Sequence, residues 1–151
     1  MPRVRSDRRA VLGGLIASTF APTLSWADAG SPAFLAAARH GDGSYNLHGL
    51  TGGGQSLFHI MLPARGHAAA AHPTRPEAVA FARRPGTFAI VMDCATGGET
   101  ARLLAPDGRH FYGHGAFSAD GNLLLTTEND YENARGVIGL WETAGYRRIG
   151  E

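Results

Sequence analysis

Histidine is the residue type in this sequence with the clearest capacity for chemistry. Seven histidines occur among 151 residues, and two pairs are closely spaced, His67 with His72 and His110 with His114. Imidazole nitrogens are common ligands of Cu, Fe and Zn, and imidazole exchanges protons near neutral pH. We therefore treat His67, His110 and His114 as candidate metal ligands. The alternative is that these side chains hydrogen-bond neighbouring strands and have a structural role.

An acidic segment over residues 128–132 is a second candidate, because Glu128 and Asp130 alternate there with neutral side chains. Alternating oxygen ligands can hold Ca²⁺, although this spacing is not that of an EF-hand loop, so Ca²⁺ is favoured less than Cu, Fe or Zn. We expect these residues in a loop between two strands, and a solvated hairpin loop is the alternative interpretation. His72 and Arg109, which adjoin the other candidates, complete the expected ligand-binding set.

The composition excludes several classes of site. The chain contains no lysine, which rules out a P-loop lysine and a lysine Schiff base. Cys94 is the single cysteine, so no internal disulfide forms, and we expect its thiol to pack at a strand end. From Asp28 onward ten arginines accompany twelve carboxylates, a net charge near −2 without a basic stripe. Nucleic-acid binding is therefore not expected.

The elements that must position the candidate side chains are predicted to be strands. The 21 glycines and 8 prolines divide the chain into short apolar segments, and no window after the N-terminal region has helical periodicity. The alanine run at residues 68–71 is interpreted as a buried strand. Further strands are predicted at residues 45–50, 56–62, 77–82, 87–93, 100–104, 115–118, 123–127, 137–142 and 146–150.

Two stretches of the chain resemble each other. Residues 71–82 align with residues 117–128 at an offset of 46, and residues 88–93 align with residues 137–142 at an offset of 49. A unit of about 40–50 residues with four strands is typical of a β-propeller blade. The turn Asp120-Gly121 between two apolar strands makes the later copy similar to a WD or YVTN repeat. A generic β-sandwich is the alternative.

The predicted fold class is all-β, a partial β-propeller of about two and a half four-stranded blades. Residues 66–104 and 113–150 each form a blade, and residues 44–63 form the outer half of a blade shared with the other end of the domain. Since propellers contain four to eight blades, we expect a truncated chain that represents the N-terminal part of the domain. In this arrangement His67 and His114 lie just before the innermost strands of adjacent blades, at one end of the channel.

The N-terminal region predicts export. Residues 1–27 have the order of a signal peptide, and Arg8 and Arg9 resemble the twin-arginine motif, with cleavage expected after Ala27. The apolar run is too short and too rich in glycine and serine to be a permanent membrane anchor. We therefore expect a periplasmic protein that uses the twin-arginine export machinery. Residues 28–43 are predicted to be a flexible linker before the propeller.

Four segments resemble the domain of unknown function 1513 family. They are residues 65–67, 72–77, 108–115 and 126–132. The resemblance implies a propeller exported by the twin-arginine route, in a setting similar to that of periplasmic proteins encoded near iron-uptake components. It implies no activity.

Two functions remain open from the sequence. The first is a non-catalytic periplasmic propeller that binds a protein or small molecule over its channel mouth, with a link to iron or metal uptake. The second is a metal- or cofactor-dependent enzyme whose site uses His67, His110 and His114. We favour the first, although the fold alone does not identify its ligand.

Overall fold

Strands make up all of the regular secondary structure in the described part of the chain. The computed structural model describes residues 23–83 and 86–151, which contain eleven strands and no helix. The all-β fold class predicted from the sequence is therefore confirmed. The strands are β1 (Phe34–Arg39), β2 (Tyr45–Leu50), β3 (Ser56–Leu62), β4 (Gly66–Ala71), β5 (Glu77–Ala82), β6 (Phe88–Asp93), β7 (Glu99–Leu104), β8 (Arg109–Phe117), β9 (Leu123–Asp130), β10 (Arg135–Glu142) and β11 (Arg147–Gly150).

The first sheet contains β1, β2 and β3 in that order, with both pairings antiparallel. Residues 28–43 were expected to be a flexible linker, but they include β1, so that expectation is wrong for residues 34–39. The turn after β1 is closed by Asp42, whose carboxylate accepts hydrogen bonds from the Ser44 backbone N–H (2.9 Å) and hydroxyl (2.7 Å). The first sheet therefore has three strands where the sequence predicted two.

The second sheet contains β4 to β7 and the third contains β8 to β11, each in consecutive order. Each is a four-stranded antiparallel meander, and together they occupy the two stretches that the sequence repeat identified. The alanine run at residues 68–71 is part of β4, as predicted, but it is half-buried to exposed and not buried. β8 and β9 are longer than predicted, because β8 begins at Arg109 and β9 ends at Asp130.

The central strands of the second sheet, β5 and β6, are buried on both faces, which explains their nearly continuous apolar sequences. Along β5, Ala78 and Ala80 belong to a core shared with the first sheet, which includes Leu47. Val79 and Phe81 point the other way. They belong to a core shared with the third sheet, whose members include Phe111, Leu124 and Trp141.

The three sheets converge at one edge. β4 contacts both β1 and β8, whereas no contact of similar extent joins the described outer strands β3, β7 and β11. β4 and β8 run in the same direction, since Gly113 lies against His67 near the start of β4 and Gly121 lies against His72 just after its end. Sheets that meet at one edge, with parallel edge strands, are arranged as in a propeller.

The motif residues Arg8 and Arg9 lie outside the described residues, as does most of the expected signal peptide. The residues around the expected cleavage position after Ala27 are described, and residues 26–30 form a turn that packs on the domain. The indole N–H of Trp26 donates a hydrogen bond to the carbonyl of His72 at 2.8 Å.

Candidate functional site

The edge where the sheets converge brings two of the candidate histidines together. The Nε2 atoms of His67 and His114 are 3.2 Å apart, and their rings meet edge to face with centroids 4.8 Å apart. Both side chains are exposed. The sequence predicted that each histidine lies just before an innermost strand. Instead, His67 lies within β4 and His114 lies within β8, the strands at the convergent edge. The 47-residue separation of the two histidines lies between the repeat offsets of 46 and 49.

An irregularity in β8 makes this approach possible. The pairing of β8 with β9 shifts between Phe111 and Gly115, and Gly113 within that stretch has a φ of +92°. Non-glycine residues rarely adopt this conformation. A Cβ atom at Gly113 would also lie only 2.5 Å from Cδ2 of His67. Glycine at this position therefore lets the edge of β8 approach β4 and sets His114 beside His67.

The pair can exchange one proton or bind one metal ion. At 3.2 Å one Nε2 donates to the other, which requires at least one neutral ring. The spacing also fits metal binding, because two nitrogens held about 2.0–2.1 Å from Zn²⁺ at the tetrahedral angle lie about 3.3 Å apart. Within residues 23–83 and 86–151, however, no group of three or more His, Cys, Asp or Glu side chains is arranged to hold a metal ion. The pair thus supplies two ligands.

His110 does not join His67 and His114. Its ring stacks between Tyr112 and Tyr131, with centroid distances of 6.3 Å and 5.8 Å. Its Nε2 atom is buried without a hydrogen-bond partner among the described residues. The expected three-histidine site is therefore reduced to a pair.

His72, a further candidate, has a structural environment. It is 3% exposed, its Nε2–H donates to the Gly121 carbonyl (3.1 Å), and its Nδ1 accepts from the backbone N–H groups of Thr74 (3.2 Å) and Arg75 (3.0 Å). Both nitrogens of the neutral His72 ring are therefore engaged in hydrogen bonds, and neither is free to bind a ligand. Burial, and next the charge of Arg75, lower the pKa of His72 below its ordinary value.

Glu128 and Asp130 were expected in a loop between two strands, and this expectation is wrong. Both lie on the inward face of β9 and are buried. The Glu128 carboxylate binds both Nη atoms of Arg148 (2.5 and 3.1 Å) and accepts from the Thr126 hydroxyl (3.0 Å). Asp130 accepts from Nε of Arg135 at 2.9 Å. Arginines neutralise the two carboxylates, which disfavours Ca²⁺ binding.

Arg109 belongs to the same network and is not available to a ligand. Its guanidinium is hydrogen-bonded to Glu151 at 2.5 Å, and lies 3.6 Å from Glu128 and 3.9 Å from Asp130. Hydrogen bonding to Glu151 raises the pKa of the Arg109 guanidinium. The three candidates Arg109, Glu128 and Asp130 therefore hold strands of the third sheet together.

Two groupings of basic side chains were missed by the sequence analysis. One is a second imidazole pair, His40 and His48, whose Nε2 atoms are 3.1 Å apart and which has His59 opposite His48 on β3. Burial and the charges of the other two histidines lower the pKa of His48. The strand register of β2 and β3 would have revealed the His48–His59 neighbours, but His40 follows β1, which was not predicted.

The other missed grouping is a set of arginines beside His67. Arg39, Arg65 and Arg83 line a cavity of about 360 Å³ between the first and second sheets. They are distant in sequence and match no motif, so only the fold brings them together.

Comparisons with known proteins support the fold and identify a family. A solved structure titled "Dihydro-heme d1 dehydrogenase NirN in complex with DHE", a β-propeller, matches with a TM-score of 0.56 and 17% identity. The match covers 70% of this chain but only 22% of that protein, and at this identity the likeness concerns the fold alone.

No curated protein sequence matches the chain. No helix able to span a bilayer occurs in the part of the chain that the structure describes. A family model matches residues 60–151, most of the described domain. The chain belongs to the family described as protein of unknown function (DUF1513).

Proposed function

We propose that this chain is the N-terminal part of an exported, periplasmic β-propeller that binds a ligand at the channel end marked by His67 and His114. The observation that carries the proposal is the 3.2 Å approach of the two imidazoles on neighbouring innermost strands. Both rings are exposed and neither is used by another hydrogen bond among the described residues. The Arg8-Arg9 motif supports export by the twin-arginine machinery. A role in iron or metal uptake belongs to this proposal as well.

The direction of β1 supports a ring that is completed by another segment. Ala37, near the end of β1, lies against Gly66 at the start of β4, so β1 runs opposite to β4. Blades related by rotation about an axis have parallel innermost strands, as β4 and β8 do. β1 therefore takes the place of a second strand. We propose that the innermost strand of the first blade comes from the rest of the full-length protein.

A metal-dependent enzyme is the second candidate function. It is favoured by the separation of the two Nε2 atoms, which is close to that of two nitrogens bound to one metal ion. Cu, Fe or Zn would suit imidazole ligands in an exported protein. A further ligand or a substrate would then complete the coordination, and the metal would act as a Lewis acid or redox centre when bound.

Analysis of the full-length protein purified from the periplasm distinguishes these functions. Native mass spectrometry and elemental analysis would be applied to wild type, to a His67→Ala/His114→Ala double variant, and to His59→Ala as a matched surface control. The binding proposal predicts a bound small molecule or partner that the double variant loses and the control retains. Stoichiometric Cu, Fe or Zn with the same dependence would establish the second candidate. Wild type and double variant with identical, empty spectra would overturn both.

Export has its own test. An Arg8→Lys/Arg9→Lys variant of the full-length protein should stay in the cytoplasmic fraction, whereas wild type should reach the periplasm. Equal amounts of the two proteins in the periplasm would contradict the twin-arginine route.

A further inference from the structure

A cavity beside the histidine pair has an unusual charge. It has a volume of about 360 Å³, which is within the range of small-molecule sites. Its described lining contains three arginines and one histidine but no carboxylate; the lining residues are Ala37, Ala38, Arg39, Tyr45, Arg65, Gly66, His67 and Arg83.

The three arginines differ from the other described arginines in having no carboxylate counter-ion among the residues that the structure describes. Six others each lie within 4.0 Å of a carboxylate; they are Arg75, Arg102, Arg109, Arg135, Arg147 and Arg148. Within residues 23–83 and 86–151, Arg39, Arg65 and Arg83 form no such ion pair, and these same three residues line the cavity. The unpaired positive charge of the described domain is therefore concentrated at one place.

The fold holds these side chains on three different elements. Arg39 ends β1, Arg65 precedes β4, and Arg83 follows β5. The backbone N–H of Arg83 donates to the Arg65 carbonyl at 2.9 Å, which fixes these two residues side by side. Gly66 allows β1 to approach the start of β4 closely, because a Cβ atom at Gly66 would lie 2.8 Å from Cβ of Ala37. This approach brings Arg39 near the other two arginines.

We infer that this cavity binds a small anion that carries two or more carboxylate or phosphate groups. The three guanidinium groups repel one another, no described carboxylate offsets that repulsion, and an anion between them would do so. The planar guanidinium fork matches both carboxylate and phosphate oxygens. His67 lines the same cavity and is paired with His114, so the ligand would extend from the arginines to the imidazoles. This inference rests on the proposed function and names the chemical class of its ligand.

Calorimetric titration of the full-length protein tests the inference, with citrate as the carboxylate probe and pyrophosphate as the phosphate probe. The variants are Arg39→Gln, Arg65→Gln and Arg83→Gln, and the control is Arg102→Gln, which removes an arginine that is paired with Glu99 away from the cavity. At least one probe should bind, each cavity variant should raise the Kd about fivefold, and rising salt should weaken binding. The control should leave the Kd unchanged. Comparing citrate with pyrophosphate identifies the preferred anion.

Absence of binding by both probes, or a Kd that none of the cavity variants changes, would overturn the inference. Thermal unfolding of each variant establishes that it is folded before titration. The outcome is separable from that of the proposed function, because His114→Ala leaves the three arginines in place. If neither probe binds but the periplasmic protein still carries a molecule that depends on His67 and His114, the anion class is wrong and the binding function stands. If the probes bind as expected but the periplasmic protein carries no molecule that depends on His67 and His114, the anion site stands and the proposed binding function is wrong.

Discussion

Replacing His72 by alanine should destabilise the fold strongly, because this ring joins the second and third sheets. Its three hydrogen bonds, to the Gly121 carbonyl and from Thr74 and Arg75, lie where the side chain is only 3% exposed. Each buried hydrogen bond contributes about 1 kcal/mol net, and removal of the ring also leaves a cavity beside Phe117, whose ring centroid is 4.9 Å away. We expect His72→Ala to lower the free energy of unfolding by about 3–4 kcal/mol.

Urea denaturation of the full-length protein, followed by circular dichroism, measures this loss. His59→Ala is the matched control, because His59 is exposed and should change the free energy of unfolding by less than about 0.5 kcal/mol. A loss for His72→Ala that is no larger than that of the control would refute the structural role of His72.

The same residue predicts a dependence on pH. The pKa of His72 is lowered in the folded state, so the unfolded chain takes up a proton first as the pH falls, at about 6.5. The contribution of the neutral ring is therefore complete above that pH and declines below it. The difference in unfolding free energy between wild type and His72→Ala should shrink from pH 7.5 to pH 5. A constant or growing difference would contradict the assigned protonation state.

Three further predictions concern the buried charges and the thiol. Gly139→Ala should lower the free energy of unfolding, measured by chemical denaturation, by about 2–3 kcal/mol, because the new Cβ would meet the Glu128 carboxylate and lie 2.6 Å from Nη1 of Arg148. Gly136→Ala is the control and should leave the free energy of unfolding nearly unchanged, because open space surrounds that position. Glu128→Gln should lower the free energy of unfolding by about 2 kcal/mol, less than for a fully buried ion pair because Arg148 is partly exposed. An unchanged free energy of unfolding in the same denaturation assay would show that the Glu128–Arg148 pair contributes no net stability. Burial raises the pKa of Cys94 to about 12, so a thiol reagent at pH 8 should label it only after denaturation; rapid labelling of native protein would contradict its burial.

Much of the strand pattern could be predicted from the sequence, because glycine and proline punctuate short apolar segments. The bounds of β2, β3 and β5 agree with the prediction, and the offset between the repeats corresponds to the spacing of β5 and β9. β1 was missed because its sequence, FLAAAR, is dominated by alanine, which has low strand propensity. Its pairing with β2 provides the stabilisation that local propensity does not.

The candidate site could be predicted only in part. The equivalent positions of His67 and His114 follow from the repeat, but their close approach also depends on the irregularity around Gly113, which no sequence pattern indicated. Glu128 was assigned to a loop because acidic residues usually face solvent. Its partner Arg148 lies 20 residues later, and the contact requires the tight space over Gly139. Pairing over such distances depends on sheet register and not on local pattern.

The central claim is that the second and third sheets lie side by side about one axis, with the two imidazoles at its end. The most direct measurement is the distance between Nε2 of His67 and Nε2 of His114 in a crystal structure of the full-length protein. We expect about 3.2 Å without a metal ion, with β4 and β8 parallel at the innermost edge. Imidazoles separated by about 10 Å or more, with the two sheets stacked as the layers of a sandwich, would contradict the claim.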